Sequence, residues 1–357
     1  MDRSTRKLDH IRHALEKSDR PFNSFDEVSF VPTSLPNIGY QEVTLDTDLA
    51  SFRLASPIII NAMTGGADAT TQINQKLAII AREKNLAIAV GSQMAALRDP
   101  GVAESYRIVR KEHPAGIVFA NVGAEATVEQ AQAAVNMLDA DGLQIHLNVM
   151  QELLMPEGDR DFCGYIDNIQ AIKESLDVPV MVKEVGFGMA KETIQKLTEL
   201  GILIIDVGGR GGTNFARVEN RRSTRPLSMF EDWGFTTVQS LLEAQVFSQA
   251  GVSIMATGGI RHGLDVLKAL VLGASAAGIA GELLRLVQTS TVEECLDAVD
   301  EWHHQLRVGM TALGFRKPQD CRRAPVLVSG ITGYQAKLRG IDLEMLAQRD
   351  FDVFSHS

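Results

Sequence analysis

Four polar side chains lie close together in the segment 146–152, namely His146, Asn148, Gln151 and Glu152. Glu152 could ligate Mg²⁺, which commonly takes one or two carboxylates together with phosphate oxygens of a substrate, or it could be a solvated acid in a helical turn. His146 could donate to an anion, or it could be a histidine satisfied within the fold. Gln151 does not titrate usefully, so we expect it to orient a partner through hydrogen bonds. This points to a proton donor other than a side chain.

Lys183 is the last residue of an apolar run, 178–183. Burying an ammonium group without a partner costs several kcal/mol or shifts its pKa. We therefore expect an anionic partner. Glu184, another structural acid and an electron-rich cofactor ring all remain open on the sequence alone.

Two turns near the end of the chain contain small residues, Gly258-Gly259 and Ala280-Gly281. Small residues allow backbone N–H groups to approach an anion closely, and a helix N-terminus adds a favourable partial charge. The alternative is two ordinary turns, but the pattern favours a phosphate site. Near the start of the chain, Arg6, Lys7 and His10 form the basic face of a predicted helix. That face suits a diphosphate, although a basic surface helix is usually solvated.

Eight apolar runs of strand length alternate with segments of helical patterning. This order predicts parallel strands joined by right-handed crossovers. A closed barrel is favoured over a doubly wound open sheet, which shows the same alternation. The fold class is therefore α/β, a (β/α)8 TIM barrel, with strands at 57–62, 87–91, 117–121, 142–147, 178–183, 202–207, 253–257 and 276–280.

Polar residues follow five consecutive predicted strands, where the active face of a parallel barrel lies. The long segment 208–234 after strand six has no clear helical or strand period and is a candidate lid. Residues 1–56 form an N-terminal extension with the basic helix, and residues 57–357 form the barrel with a C-terminal helical tail. Helices are predicted at 191–200 and 291–306.

The composition excludes several classes of protein. A net charge of -10 argues against general nucleic-acid binding, which needs clustered Lys and Arg. No apolar run approaches the roughly 18 residues needed to span a membrane, and no secretion signal is visible. Cys163, Cys295 and Cys321 are far apart and odd in number, which is typical of a reducing compartment. We therefore expect a cytoplasmic protein without membrane or nucleic-acid partners.

Several segments together resemble the FMN-dependent type 2 isopentenyl-diphosphate isomerases over most of the chain. The specific motifs are Arg6-Lys7-Leu8-Asp9-His10-Ile11 and the H-x-N-x-x-Q-E pattern of 146–152. The resemblance implies interconversion of isopentenyl and dimethylallyl diphosphate in isoprenoid biosynthesis, with FMN, Mg²⁺ and a reductant such as NADPH. In that family the flavin is thought to act as the acid-base catalyst without net redox change. The resemblance also implies a homo-oligomer, a tetramer or octamer.

The same resemblance assigns roles to individual residues of this chain. Catalytic roles fall on Gln151, His146 and Asn148, and Glu152 is the implied Mg²⁺ ligand. The implied substrate-binding residues are Arg6, Lys7, Ser92, Gln93, Met94, Arg98 and Gln151. The implied FMN-binding residues are Ala62, Met63, Thr64, Ser92, Asn121, Lys183, Thr213, Gly259, Ile260, Arg261, Ala280 and Gly281.

Two other functions compete with this interpretation. An FMN-dependent 2-hydroxy-acid oxidase shares the barrel and the phosphate site but needs a histidine base after strand six, and residues 206–212 contain none. A nucleotide dehydrogenase of the inosine-monophosphate type would need a cysteine there, which is also missing. A non-catalytic barrel that binds phosphorylated ligands would leave the polar residues after the other strands without a purpose.

Overall fold

The computed structural model describes residues 22–350. Eight parallel strands, from β4 at Ile58–Ile60 to β11 at Ala276–Ile279, close into a barrel in which neighbours in the chain are neighbours in space. All eight predicted strands are confirmed. The strands at 142–147 and 253–257 have the predicted bounds, and the bounds of the other six differ from the prediction by at most two residues at either end. The strands are β1 Val28–Phe30, β2 Thr47–Leu49, β3 Phe52–Leu54, β4 Ile58–Ile60, β5 Ile88–Ala89, β6 Val118–Gly123, β7 Gly142–Leu147, β8 Val180–Glu184, β9 Ile204–Asp206, β10 Ser253–Thr257, β11 Ala276–Ile279 and β12 Val326–Val328.

Helices follow the barrel strands and form the outer layer. The helix predicted at 191–200 is confirmed, and so is the one predicted at 291–306, which runs further to Leu313. Thr291 and Glu294 begin that second helix as a capping box, each side chain accepting the other's backbone N–H. The α-helices are α1 Asp68–Lys84, α2 Met94–Arg98, α3 Glu104–Glu112, α4 Val128–Leu138, α5 Val149–Leu154, α6 Tyr165–Ser175, α7 Lys191–Glu199, α8 Phe215–Arg222, α9 Thr237–Gln249, α10 Gly263–Val271, α11 Gly281–Thr289, α12 Val292–Leu313, α13 Gly330–Leu338 and α14 Leu343–Ala347.

Side chains along each strand point alternately toward the helices and into the barrel, so the core has an outer and an inner layer. Ile58 and Ile60 pack in the cluster that includes the helices, whereas Ile59 lies in a separate cluster inside the barrel. Each such isoleucine is fully buried, which contributes about 1.5–3 kcal/mol. The β2–β3 hairpin adds Leu49 and Leu54 to the inner cluster and fills the amino end of the barrel. The carboxyl end is therefore the end available for a site.

The segments on either side of the barrel pack together. β1 pairs antiparallel with β12, with Val28 opposite Val328. The Glu27 carboxylate accepts the backbone N–H groups of Ile331 and Thr332, both at 2.9 Å, in the first turn of α13. The basic helix predicted near the N-terminus lies outside the described residues, and the domain boundary at residue 56 stays a prediction. Within residues 22–350 no helix is long and apolar enough to cross a membrane.

The insertion after β9 contains regular structure, although its sequence has no clear helical or strand period. Helix α8 runs from Phe215 to Arg222, and the Asn214 side chain caps it by accepting the Arg217 N–H. Its buried residues include the polar Glu219 and Asn220, so no apolar period marks this helix in the sequence. Helix α8 is held both by Ala216, which packs with Leu154 and Phe187, and by its buried polar groups.

Candidate active site

The polar residues predicted after strands three and four meet at the carboxyl end of the barrel. Asn121 lies on β6 and His146 on the neighbouring β7, and His146 Nδ1 is 2.9 Å from Asn121 Oδ1. Asn121 is buried, whereas His146 is partly exposed. The barrel thus places one ring nitrogen of His146 against a fixed amide.

A chain of buried amides continues from Asn121 through the barrel interior. Asn121 Nδ2 donates to Gln144 Oε1 at 3.1 Å, and Gln144 Nε2 donates to Asn61 Oδ1 at 3.2 Å. Asn61 Nδ2 then donates to Asp206 Oδ2 at 3.1 Å. Asn61, Gln144 and Asp206 were not predicted from the sequence. Alternation could have found Asn61 and Asp206, which have the same parity as the inward residues Ile59 and Ile204.

Lys183 has its anionic partner inside the barrel. Its Nζ lies 3.8 Å from Asp206 Oδ2, and both side chains are buried. Burial raises the pKa of Asp206, while Lys183 and the Thr257 hydroxyl, which donates to Oδ1 at 2.6 Å, favour the carboxylate. Glu184 is turned elsewhere: its Oε2 accepts the backbone N–H groups of residues 186–188. Burial raises the pKa of Glu184 to about 8, although these amides oppose the shift. The partner is therefore the structural acid Asp206.

Gln151 lies in α5, directly after β7, and is only 8% exposed. Its Nε2 donates to Glu219 Oε1 at 3.2 Å, so α8 of the insertion reaches the cluster after β7. Glu219 is fully buried and also forms an ion pair with Arg222, which in turn bonds Glu157 at 2.7 Å. Glu219 was not predicted from the sequence, where its signal is the Glu219–Arg222 spacing of three on a helix that was not predicted.

Glu152 lies within α5, and its carboxylate is held by residues on either side of the helix. Its Oε1 accepts Asn148 Nδ2 at 2.7 Å and its Oε2 accepts the Asp159 N–H at 2.9 Å. The other amide atom of Asn148, Oδ1, is buried without a hydrogen-bond partner among the described residues. Within 22–350 no group of three or more His, Cys, Asp or Glu is arranged to hold a metal. Glu152 is thus a single carboxylate beside an unsatisfied carbonyl oxygen.

Glycine turns after β9 and β10 pack backbone to backbone. Gly258 and Gly259 have φ angles of 99° and 77°, in the region that favours glycine. A Cβ on Gly258 would lie 1.9 Å from the Gly209 carbonyl oxygen, and one on Gly212 would lie 3.1 Å from the Gly259 nitrogen. A side chain at Gly258 would therefore displace the turn after β9.

The loop after β9 also reaches the start of α11. A Cβ on Gly281 would lie 4.0 Å from Thr213 Oγ1, so these two predicted residues are neighbours. Helix α11 begins at Gly281, and the preceding Ala280 has no side-chain cap. The first N–H groups of a helix have no partner within it and favour an anion. The turns after β9, β10 and β11 thus lie together where the sequence predicts a phosphate site.

The turn after β4 supplies a further unsatisfied group. Thr64 is 4% exposed, and its Oγ1 has no hydrogen-bond partner among residues 22–350. The preceding Ala62 and Met63 are partly exposed. Ser92, in the next turn, is also partly exposed, and its carbonyl oxygen accepts the Tyr106 hydroxyl at 2.5 Å. These turns border the same end of the barrel.

Three of the predicted substrate residues near α2 differ in their exposure. Gln93 is fully buried: its Nε2 donates to the Ala134 carbonyl at 2.9 Å, and its Oε1 accepts the Asn121 N–H at 2.9 Å. Met94 is buried and Arg98 is exposed. The Gln93 side chain therefore supports the Asn121 backbone. Arg6 and Lys7 lie outside the described residues.

The predicted cofactor residues Ile260 and Arg261 follow β10. Ile260 is buried. Arg261 Nε donates to Asp265 at 2.7 Å and its guanidinium also bonds Asp26 at 2.6 Å. The hydrogen bond to Asp265, helped by Asp26, raises the pKa of Arg261. The guanidinium is thus engaged by two carboxylates.

Comparisons with known proteins place this chain among close relatives. Residues 125–328 match the model of the FMN-dependent dehydrogenase family. An isopentenyl-diphosphate delta-isomerase of Geobacillus sp. (strain WCH70) is 47% identical over 98% of this chain and 100% of its own length. The enzyme of the same name from Bacillus cytotoxicus is 49% identical over the same shares.

Solved structures with a similar fold are more distant in sequence. A lactate oxidase of Pediococcus acidilactici has a TM-score of 0.67 at 14% identity, covering 90% of this chain and 87% of that one. A flavocytochrome b2 variant with benzoylformate has a TM-score of 0.65 at 15% identity, covering 96% and 84%. These structures share the barrel fold.

Proposed function

Because the chain belongs to the isopentenyl-diphosphate delta-isomerase family and carries the FMN-dependent dehydrogenase domain, we propose that it interconverts isopentenyl and dimethylallyl diphosphate in isoprenoid biosynthesis. The observation that carries the proposal is the polar cluster after β7. There, Gln151 bonds Glu219, and Asn148 bonds Glu152, at the open end of an FMN-type barrel.

The residues around the rim fit a bound FMN. The turns after β9, β10 and β11 offer glycine backbone and the N-terminus of α11 to the flavin phosphate. The unsatisfied Thr64 hydroxyl suits a polar atom of the ring system, and the buried Lys183 suits its electron-rich edge. When bound, the flavin supplies an electron-rich ring that can take part in proton transfer. Its phosphate supplies the anchor.

Moving a double bond requires a proton at one carbon and removal of another from a neighbouring carbon, in a site shielded from water. Gln151 orients the reacting carbons, since its Nε2 is held by Glu219 Oε1 and its Oε1 is thereby directed away from that carboxylate. Glu219 is the buried carboxylate next to Gln151, and Arg222 balances its charge. We assign His146 and Asn148, together with Gln151, as the catalytic residues around the substrate.

Metal and cationic groups would hold the diphosphate. We assign Glu152 as the residue that would hold one Mg²⁺, which would supply positive charge to the diphosphate. The unsatisfied Asn148 Oδ1 next to it suits a metal-bound water or the ion itself. Arg6, Lys7, Ser92, Gln93, Met94 and Arg98 belong to the same proposed substrate site, and the buried Gln93 contributes through the Asn121 backbone that it holds.

Three further parts of the proposal concern the setting of the enzyme. We propose that NADPH reduces the flavin. We also propose that the protein forms a homo-oligomer, a tetramer or octamer, and that it acts in the cytoplasm. The spaced cysteines support the last point: Cys295 and Cys321 are buried free thiols and Cys163 is exposed. Light scattering of the purified protein would measure the assembly.

One assay tests the activity. The purified protein is incubated anaerobically with isopentenyl diphosphate, FMN, Mg²⁺ and NADPH, and dimethylallyl diphosphate is followed with time. We expect product only when all four are present. Absence of product, together with oxidation of lactate or glycolate, would overturn the isomerase assignment. A protein that takes up no FMN would instead be a phosphate-ligand-binding barrel.

A further inference from the structure

The hydrogen bonds between Asp206 and His146 all run in one direction. Asn61 donates to Asp206, Gln144 donates to Asn61, and Asn121 donates to Gln144, at 3.1, 3.2 and 3.1 Å. The three amides are at most 3% exposed. A carboxamide has its donor and its acceptor on opposite arms, so each one passes the orientation of one neighbour to the next. The chain is therefore a directional link across the barrel.

Asp206 is the end that sets this direction. An ionised carboxylate only accepts hydrogen bonds, and the groups around it are donors. They are the Thr257 hydroxyl at 2.6 Å, the Gly208 N–H at 3.1 Å, the Asn61 amide and the Lys183 ammonium. Asp206 is fully buried, so no water competes for its oxygens. If the amides were reversed, the Asn61 oxygen would face the carboxylate oxygen, leaving two buried acceptors in contact.

We propose that Asp206 is a positioning residue that fixes the tautomer of His146 through these three amides. With the Asn121 nitrogen bound to Gln144, its oxygen faces His146 Nδ1, so Nδ1 must carry the proton and donate. The lone pair of the neutral ring is then on Nε2, which becomes the nitrogen that gains the proton when the ring is charged.

The consequence for the reaction rests on the proposed function. A ring held with Nδ1 protonated has Nε2 as the nitrogen that can meet a diphosphate oxygen once protonated, which makes a charge-assisted hydrogen bond. If the Asn121 amide were reversed, its NH2 group would face Nδ1, and protonation of the ring would place two donors against each other.

The tautomer is measured directly on the FMN-loaded enzyme. Long-range ¹H–¹⁵N NMR of protein with ¹⁵N-labelled histidine distinguishes the two ring nitrogens, and the spectrum of His146→Gln assigns the signal. At about pH 8, well above the usual imidazole pKa, the ring should be neutral with the proton on Nδ1. An Nε2–H tautomer in the unmodified enzyme would by itself overturn the inference.

Variants of the amide chain and of Asp206 test whether they determine the tautomer of His146. Gln144→Met keeps the volume but cuts the chain, and Asp206→Asn replaces the acceptor-only end with a group that also donates. Both should convert His146 to a mixture of tautomers. Thr257→Val removes a different hydrogen bond of Asp206 and should leave the Nδ1–H tautomer intact. Retention of the pure tautomer in Gln144→Met, or an equal change in Thr257→Val, would contradict the proposal. Should Asp206→Asn fail to fold, Gln144→Met decides the matter without disturbing the Lys183 pair.

Kinetics separate this inference from the proposed function. In Gln144→Met we expect KM for isopentenyl diphosphate to rise roughly tenfold with a smaller change in kcat, as for loss of one hydrogen bond to a charged group. An unchanged KM despite a changed tautomer would overturn the link to the substrate. The tautomer itself needs no turnover, so a protein without isomerase activity that still shows Nδ1–H would refute only the function.

Discussion

Gln151 Nε2 donates to Glu219 Oε1 across 3.2 Å, which joins the helix after β7 to the helix inside the insertion. The insertion is thereby part of the candidate active site, since the carboxylate is fully buried beside the proposed catalytic amide. Arg222 supplies the balancing charge from the same helix.

Replacing Glu219 with Gln should reduce kcat by about 100-fold while FMN remains bound. An amide has one acceptor oxygen for both Arg222 and Gln151, so its NH2 group would face one of them, and a misdirected group in an active site costs on the order of 100-fold. Stopped-flow or endpoint measurement of dimethylallyl diphosphate gives kcat. Glu157→Gln is the matched control, because Glu157 bonds the same Arg222 from the more exposed side of the ion pair. Equal losses in both variants would show that Arg222, not Gln151, carries the effect.

Glu152→Gln should raise the Mg²⁺ concentration needed for half-maximal activity by about tenfold or more, because a neutral amide is a poorer ligand for this hard cation. Mg²⁺ titration of the initial rate measures the change. Glu174→Gln, at an exposed acid on α6 that accepts a hydrogen bond from its helix neighbour Gln170, is the control for lost surface charge. A Mg²⁺ requirement that is the same in all three proteins would remove Glu152 from the metal site.

Thr64→Val should weaken FMN binding by roughly fivefold, the effect of losing one neutral hydrogen bond, without reducing the stability of the FMN-free protein. The hydroxyl has no partner among the described residues, so its removal loses nothing when FMN is absent. Flavin fluorescence titration and thermal unfolding measure the two effects.

Thr70→Val is the matched control for Thr64→Val. The buried Thr70 hydroxyl donates to the Ala67 carbonyl at 2.6 Å, so its loss should lower stability by about 1 kcal/mol and leave FMN affinity unchanged. If Thr64→Val destabilised the FMN-free protein and kept full FMN affinity, the assignment of Thr64 to the cofactor site would be wrong.

His303 should make the fold sensitive to mild acid. Burial lowers its pKa to about 4, from 6.5 in the unfolded chain, and its Nε2 bonds Ser56 Oγ at 2.8 Å. Between these two values the unfolded chain binds more protons, so the free energy of unfolding falls as the pH falls from about 6.5 to 4. The loss is up to about 3 kcal/mol in that range.

Urea unfolding at several pH values measures this slope. His303→Gln should flatten it, and His304→Gln is the control for replacing the adjacent, exposed histidine of the same helix. A slope that survives in His303→Gln would assign the acid sensitivity to other groups.

The barrel could be predicted from the sequence because its signals are local. Each strand is a short apolar run, such as Ile58–Ile60, and each is followed by a helical pattern; their order leaves few topologies. The polar residues after successive strands, including Asn121, His146 and Lys183, could be placed at one rim by the same rule. The family motif then supplied roles for these residues.

Only the tertiary structure decided which of these groups bond one another. Asp206 pairs with Lys183, and Glu219 reaches Gln151, across 23 and 68 positions of sequence. Helix α8 carries no apolar period, because its buried face includes Glu219 and Asn220. Polar burial of this kind is stable only when a distant partner is present, so the residue types in one segment cannot reveal it.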